Sequence, residues 1–212
     1  MRKIYFLLLL MIVFVLVSCN SFDLYEDIID KVVEITCENK IGKSFGTGTL
    51  ISNDGMILTN KHIIEYFMED SSIKVNFNND INTYDAEIYE VSDIYDLCLI
   101  KIDKDTEYFE EISTDIRITD EVYTIGNANG FGLAFQKGVI SSEYKNIIYN
   151  NDNILTIQTT IEIYNGSSGG PLYNSKGELL GLMTLRIKDD GFYIPGMSFA
   201  IPSKVINEFL GV

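Results

Sequence analysis

The sequence predicts an all-β fold, barrels or a sandwich, with a short helix near each end of the folded region. Three observations carry this. Short apolar and β-branched runs recur along most of the chain. Turn signals rich in Gly, Asn and Asp separate them at roughly even spacing. Helical spacing is confined to two segments, near residue 24 and after residue 202, which argues against a βαβ sheet.

The first eighteen residues read as an address rather than part of the fold. Arg2 and Lys3 form a basic start, and Ile4 to Val17 is an unbroken apolar run. That run suits a secretory signal and is short for a membrane span of about 20 residues. It ends in Leu16-Val17-Ser18-Cys19, which resembles the lipobox of bacterial lipoproteins. In that family the signal is cut before the cysteine and lipid is attached to its sulfur, so Cys19 is the expected lipidation site. An ordinary cleaved signal, with Cys19 incidental, is the other reading.

Residues 24–31 place Leu24, Ile28 and Ile29 at helical spacing, a lead-in helix. Strands are expected at Val32–Cys37, Thr47–Ser52 and Met56–Thr59, with Asn53-Asp54-Gly55 as a hairpin turn between the last two. Further strands are expected at Ile73–Phe77, Ala86–Val91, Leu97–Ile102, Glu121–Ile125, Gly138–Glu143 and Ile154–Thr159. Pro171–Tyr173, Leu179–Leu185 and Met197–Ile201 complete the set. Ser203–Leu210 reads as a closing helix capped by Ser203. The acidic stretch 103–121 is either a link between two halves or a solvated surface segment.

Composition narrows the chemistry. The 212 residues are 46% hydrophobic with only 3 prolines, which excludes a disordered or collagen-like chain. With 16 basic against 31 acidic residues the net charge is −15, and such a surface repels nucleic-acid phosphate. Three cysteines exclude a small disulfide scaffold, and a single histidine excludes a metal site built from several imidazoles. Cys37 and Cys98 lie in apolar runs and read as buried thiols, although export permits a bridge between them.

Three places carry chemistry. His62, in Thr59-Asn60-Lys61-His62, follows a strand, and alone it reads more readily as a structural or surface histidine than as a catalytic one. Asp96 opens the apolar strand Leu97-Cys98-Leu99-Ile100, where a carboxylate needs a partner such as an imidazole N–H. Asn165-Gly166-Ser167-Ser168-Gly169-Gly170-Pro171-Leu172 sets glycines around a serine, freeing backbone N–H groups to converge beside its hydroxyl. Gly166-x-Ser168-x-Gly170 formally matches the nucleophile elbow of α/β-hydrolases, but that fold needs Ser before His and a helix after the elbow. The order here is His, Asp, Ser.

Taken together, Gly46-Thr47-Gly48-Thr49-Leu50-Ile51-Ser52 through Gly55-Met56-Ile57-Leu58-Thr59-Asn60-Lys61-His62 resembles the histidine region of HtrA/Deg-type trypsin-like serine proteases. Asp96-Leu97-Cys98-Leu99-Ile100-Lys101 resembles their aspartate strand. Ile125-Gly126-Asn127, Gly138-Val139-Ile140-Ser141, the serine loop and Phe199-Ala200-Ile201-Pro202 match in sequence. The likeness covers roughly residues 24–210 and implies two six-stranded antiparallel β-barrels, approximately 24–110 and 120–210, with the site between them.

By this resemblance Ser168 is the nucleophile, His62 the general base and acid, and Asp96 the group that orients the imidazole. Asp93 is the rival acid. The N–H groups of Gly166 and Ser168 would form the oxyanion hole, and no metal or cofactor is implied. Glu162 falls where the family carries a small residue at the base of the S1 pocket. It is expected either to favour a basic P1 side chain or to turn into solvent, against a family default of small or aliphatic P1. Ile163, Tyr164 and the Thr184–Ile187 stretch are expected pocket walls. The family's usual C-terminal PDZ domain does not follow in these 212 residues, which puts PDZ-controlled activation and trimerisation in doubt. The function implied is an exported endopeptidase of the bacterial cell envelope, lipid-anchored through Cys19 and acting on proteins or peptides. The alternatives are a catalytically silent peptide-binding protein of the same fold and an esterase using the same acyl-enzyme chemistry.

Overall fold

In the computed structural model, residues 20–40, 42–65, 71–149 and 152–212 are described. The expected signal sequence and Cys19 lie outside them.

Among the described residues, twelve strands form two closed antiparallel barrels of six. The first contains β1 (Val32–Glu38), β2 (Lys43–Leu50), β3 (Met56–Thr59), β4 (Ser72–Phe77), β5 (Thr83–Val91) and β6 (Cys98–Lys101), closed in the order β1-β2-β3-β6-β5-β4. The second contains β7 (Glu121–Asn127), β8 (Leu133–Tyr149), β9 (Asp152–Thr159), β10 (Pro171–Tyr173), β11 (Leu179–Asp189) and β12 (Phe192–Pro202), closed as β10-β11-β12-β9-β8-β7. Closure leaves neither sheet with an unpaired edge.

Strand alternation builds each core. Val33, Ile35 and Cys37 of β1 point inward and join Ile57, Val75, Cys98 and Ile100 in the first barrel. Val122, Ile140, Ile157, Leu172, Leu180 and Ala200 fill the second. Cys37 and Cys98 are both buried free thiols in the first core.

Two helices fasten the barrels to each other. The helix α1 (Asn20–Ile29) leads into β1 yet buries Leu24, Ile28 and Ile29 with Tyr123, Ile125, Tyr173 and Leu179 of the second barrel. The closing helix α3 (Ser203–Leu210) buries Val205 and Ile206 with Leu58, Leu97 and Leu99 of the first barrel and Leu182 and Ile201 of the second. A third, α2 (Lys61–Glu65), is a single short turn after β3. The acidic segment after β6 connects the barrels with its acids exposed apart from the half-buried Asp120, and, beyond either expectation, it buries Phe109 and Ile116.

The structure corrects one cap and several strand bounds, β2 (Lys43–Leu50) and β5 (Thr83–Val91) both starting earlier than expected. Ser203 is the first residue of α3 rather than its cap; Pro202 holds the cap position, and the Ser203 hydroxyl donates to Ser113 O at 2.6 Å. The strands β8, β11 and β12 run well past their expected ends into hairpin arms. Those arms lack the buried, alternating face from which the expected ends were read.

Candidate active site

Strand pairing explains why His62 meets Asp96. The antiparallel neighbours β3 and β6 pair Thr59 with Cys98. His62 leaves the end of β3 and Asp96 stands just before β6, so both emerge at the same end of one strand pair. The His62 Nδ1 lies 2.7 Å from Asp96 Oδ2, and the His62 backbone N–H donates to Asp96 Oδ1 at 2.9 Å. The Thr184 hydroxyl donates to Asp96 Oδ2 at 3.0 Å, and the Asn60 amide donates to the Asp96 carbonyl at 2.8 Å. A carboxylate gripped through both oxygens cannot swing, so it fixes the ring through Nδ1 and leaves Nε2 for other chemistry. The rival acid, Asp93, is exposed at the rim of the same cleft.

Ser168 comes from the second barrel, in the loop between β9 and β10. That loop is clamped from the first barrel by two buried threonines of β2. The Thr47 N–H donates to Ser168 O at 2.9 Å, and its hydroxyl donates to Gly166 O at 2.7 Å while accepting from Asn127 N–H at 2.9 Å. The Thr49 hydroxyl donates to Gly169 O at 3.0 Å. The two neighbouring serines are distinct in role. Ser167 is buried and its Oγ accepts from Tyr164 N–H, whereas Ser168 opens on the cleft and its hydroxyl donates to Thr184 O at 3.0 Å.

Within the loop, the N–H groups of Ser167, Gly169 and Gly170 are taken by Tyr164 O, Met183 O and Ser167 O. Among the described residues, the N–H groups of Gly166 and Ser168 have no acceptor. Two free donors beside a serine hydroxyl are what an oxyanion hole requires. Gly166 takes φ +91° and Gly169 φ +84° to produce this chain path.

His62, Asp96, Ser168, Ile163, Tyr164 and Thr184 line a single cleft of about 940 Å³ between the barrels, together with Leu185, Arg186 and Ile187. Glu162 is not part of that wall: its carboxylate accepts the Gly196 N–H of β12. Sequence reasoning missed Thr47, Thr49 and Asn60 as supports of the site. Their only signal was position, in segments directly flanking the chemistry-bearing residues.

Comparison with known proteins agrees with this architecture. Residues 46–182 match the trypsin-like peptidase domain family. The chain is 31% identical over 176 residues to the magnetosome formation protease MamE of Paramagnetospirillum magneticum, covering 79% of this chain and 23% of MamE. It is 34% identical over 171 residues to the serine endoprotease DegS of Haemophilus influenzae, covering 79% of this chain and 49% of DegS. The chain thus spans between about a quarter and a half of these relatives. Among solved structures, the HtrA-type protease AlgW with a tripeptide superposes with a TM-score of 0.79 at 28% identity, over 89% of this chain and 61% of AlgW.

Proposed function

We propose, from the premise that this chain belongs to the trypsin-like peptidase domain family, that it is an exported HtrA-type serine endopeptidase of the cell envelope working through His62, Asp96 and Ser168. The observation that carries the reading is the His62–Asp96 contact at 2.7 Å in the cleft onto which Ser168 opens. The solved AlgW structure holds a tripeptide, which fits protein or peptide substrates here.

On substrate binding the Ser168 hydroxyl turns from Thr184 O toward His62 Nε2, a tightening expected of catalytic hydrogen bonds on passing from the free to the bound state. His62 takes the proton as Ser168 Oγ attacks the scissile carbonyl, and Asp96 stabilises the imidazolium that forms. The oxyanion is received by the Gly166 and Ser168 N–H groups, where one donor is worth about 10²–10³ in rate. His62 then protonates the leaving amine, and water, deprotonated by the same imidazole, releases the acyl group. Anchoring through Cys19 would hold the acidic domain at a membrane face.

The test is labelling of the purified chain and of its Ser168→Ala variant with a fluorophosphonate, followed by digestion of unfolded casein. Labelling and cleavage are expected in the wild type and lost together in the variant. A folded wild type that neither labels nor cuts would overturn the enzyme reading in favour of a catalytically silent peptide-binding protein. Metabolic labelling with a fatty acid, lost in Cys19→Ser, tests the anchor.

A further inference from the structure

The second-barrel wall of the cleft carries cations that the rest of this acidic chain does not explain. Arg186 of β11 stands two residues beyond Thr184, whose carbonyl accepts from the Ser168 hydroxyl. The Arg186 guanidinium carbon lies 3.5 Å from the Tyr193 ring centre and 5.2 Å from that of Tyr164. Lys188 Nζ lies 4.6 Å from the other partner they share, the Tyr193 ring. All four residues line the cleft with Ser168. Among the described residues, neither Arg186 nor Lys188 forms an ion pair, although acids outnumber bases 31 to 16 in the chain.

The mode of attachment matters. Aromatic rings engage a guanidinium through its face and hold the long side chain in place. The N–H donors lie in the guanidinium plane, and none of those of Arg186 has an acceptor among the described residues. A preorganised fork of unused donors, half-buried in a substrate cleft, matches the bidentate geometry of a carboxylate. The cleft's acids other than Asp96 are Glu65 and Asp93, which belong to the opposite, first-barrel wall. The one acid expected on the Arg186 side, Glu162, is turned onto Gly196 N–H.

We infer that Arg186, braced by Tyr164 and Tyr193 and assisted by Lys188, forms a carboxylate-binding subsite that selects substrates with an acidic side chain close to the scissile bond. The inference rests on the peptidase reading above and names the substrate class of that site.

The test starts from a sequence the enzyme cuts in casein. Peptides carry Glu or its neutral isostere Gln at one position at a time, from three residues before the cut bond to two after it. At one of these positions the wild type is expected to favour Glu by about tenfold in kcat/KM, the scale of one charge-assisted hydrogen bond. The preference shrinks as ionic strength rises. In Arg186→Gln the Glu-to-Gln ratio falls toward one, and in Arg186→Glu it inverts. Fluorophosphonate labelling of each variant reports whether its site is assembled. Equal rates for Glu and Gln at every position in a wild type that labels would overturn the subsite while leaving the peptidase reading intact. If Ser168 does not label, the peptidase reading fails, and binding of overlapping casein peptides, each made with Glu and with Gln at its acidic positions, to the Ser168→Ala chain decides the subsite separately. Binding that does not distinguish Glu from Gln overturns it there too.

Discussion

Thr47 shows how one residue can couple two barrels. It makes three hydrogen bonds into the second barrel, to Ser168 O, Gly166 O and Asn127 N–H, and its own carbonyl accepts from the Thr59 hydroxyl at 2.8 Å. Thr47→Val keeps the shape but leaves Gly166 O and Asn127 N–H buried without their partner. Each such group costs about 1–3 kcal/mol, so the variant is expected to lose about 2–6 kcal/mol of stability. It should also lose much of its fluorophosphonate labelling, because the loop bearing Ser168 is no longer held. Thr47→Ser restores the hydroxyl and should recover most of both. A Val variant that unfolds at the wild-type denaturant concentration and labels at the wild-type rate would remove Thr47 from the site. Beyond its place in the Gly46–Ser52 segment, nothing in the sequence marked the role of this threonine, because a threonine in a strand reads as β-propensity alone. His62 and Asp96 stood out by combination rather than singly: each alone has a bland reading, and the order His, Asp, Ser with the family resemblance gave them their expected roles.

At the scale of elements, the serine loop is a segment whose path excludes side chains at its turning points. A Cβ added to Gly169 would sit 2.0 Å from Thr47 O and 2.4 Å from the Thr59 hydroxyl, and φ +84° adds strain. Gly169→Ala is therefore expected to cost about 3 kcal/mol or more, through the forced contact and the strained backbone together. Melting temperature and labelling should fall in parallel, and a variant that melts within a degree of wild type would show that the loop has another path. The same scale shows what the sequence revealed of the fold. All twelve strands were legible in order, because each buries an alternating or continuous apolar face. The arms of β8, β11 and β12 were not, since a hairpin projecting from its barrel needs no such face. One signal did exist for the β11–β12 arm. Asp190 and Gly191 both take positive φ at its tip, and Asp-Gly is a strong two-residue hairpin marker. Those arms supply Lys188 and Tyr193, which the sequence did not single out, beside Arg186, which falls in the expected Thr184–Ile187 wall.

On the scale of the whole molecule, the cleft exists because the two barrels are held in one relation by α1, α3 and the β2 threonines, and each barrel's interior is closed to water. That closure makes a prediction about pH. Burial pushes the Cys37 thiol up from 9.0 to about 11 and the Cys98 thiol up to about 12, with the proximity of Cys37 and the charge of Asp96 adding to the rise at Cys98. Below pH 9 the folded and unfolded chains both keep these protons, so the stability gained from burying neutral thiols is fully present. Between about 9 and 11 the unfolded chain releases them while the folded chain holds on, and stability drains away as pH climbs toward the folded values. The wild type should therefore lose denaturant resistance from pH 9 upward faster than a Cys37→Ala/Cys98→Ala chain, in which every other titrating group is unchanged. The comparison is of slopes against pH, so a fixed cost of the vacated thiol volumes does not enter it. Iodoacetamide at pH 8 should modify both cysteines only after unfolding, since a neutral thiol sealed in the core is neither nucleophilic nor reachable. Parallel slopes for the two chains, or rapid alkylation of Cys37 or Cys98 in the native protein, would mean that the first barrel opens to solvent, and with it the strand pair that sets His62 against Asp96.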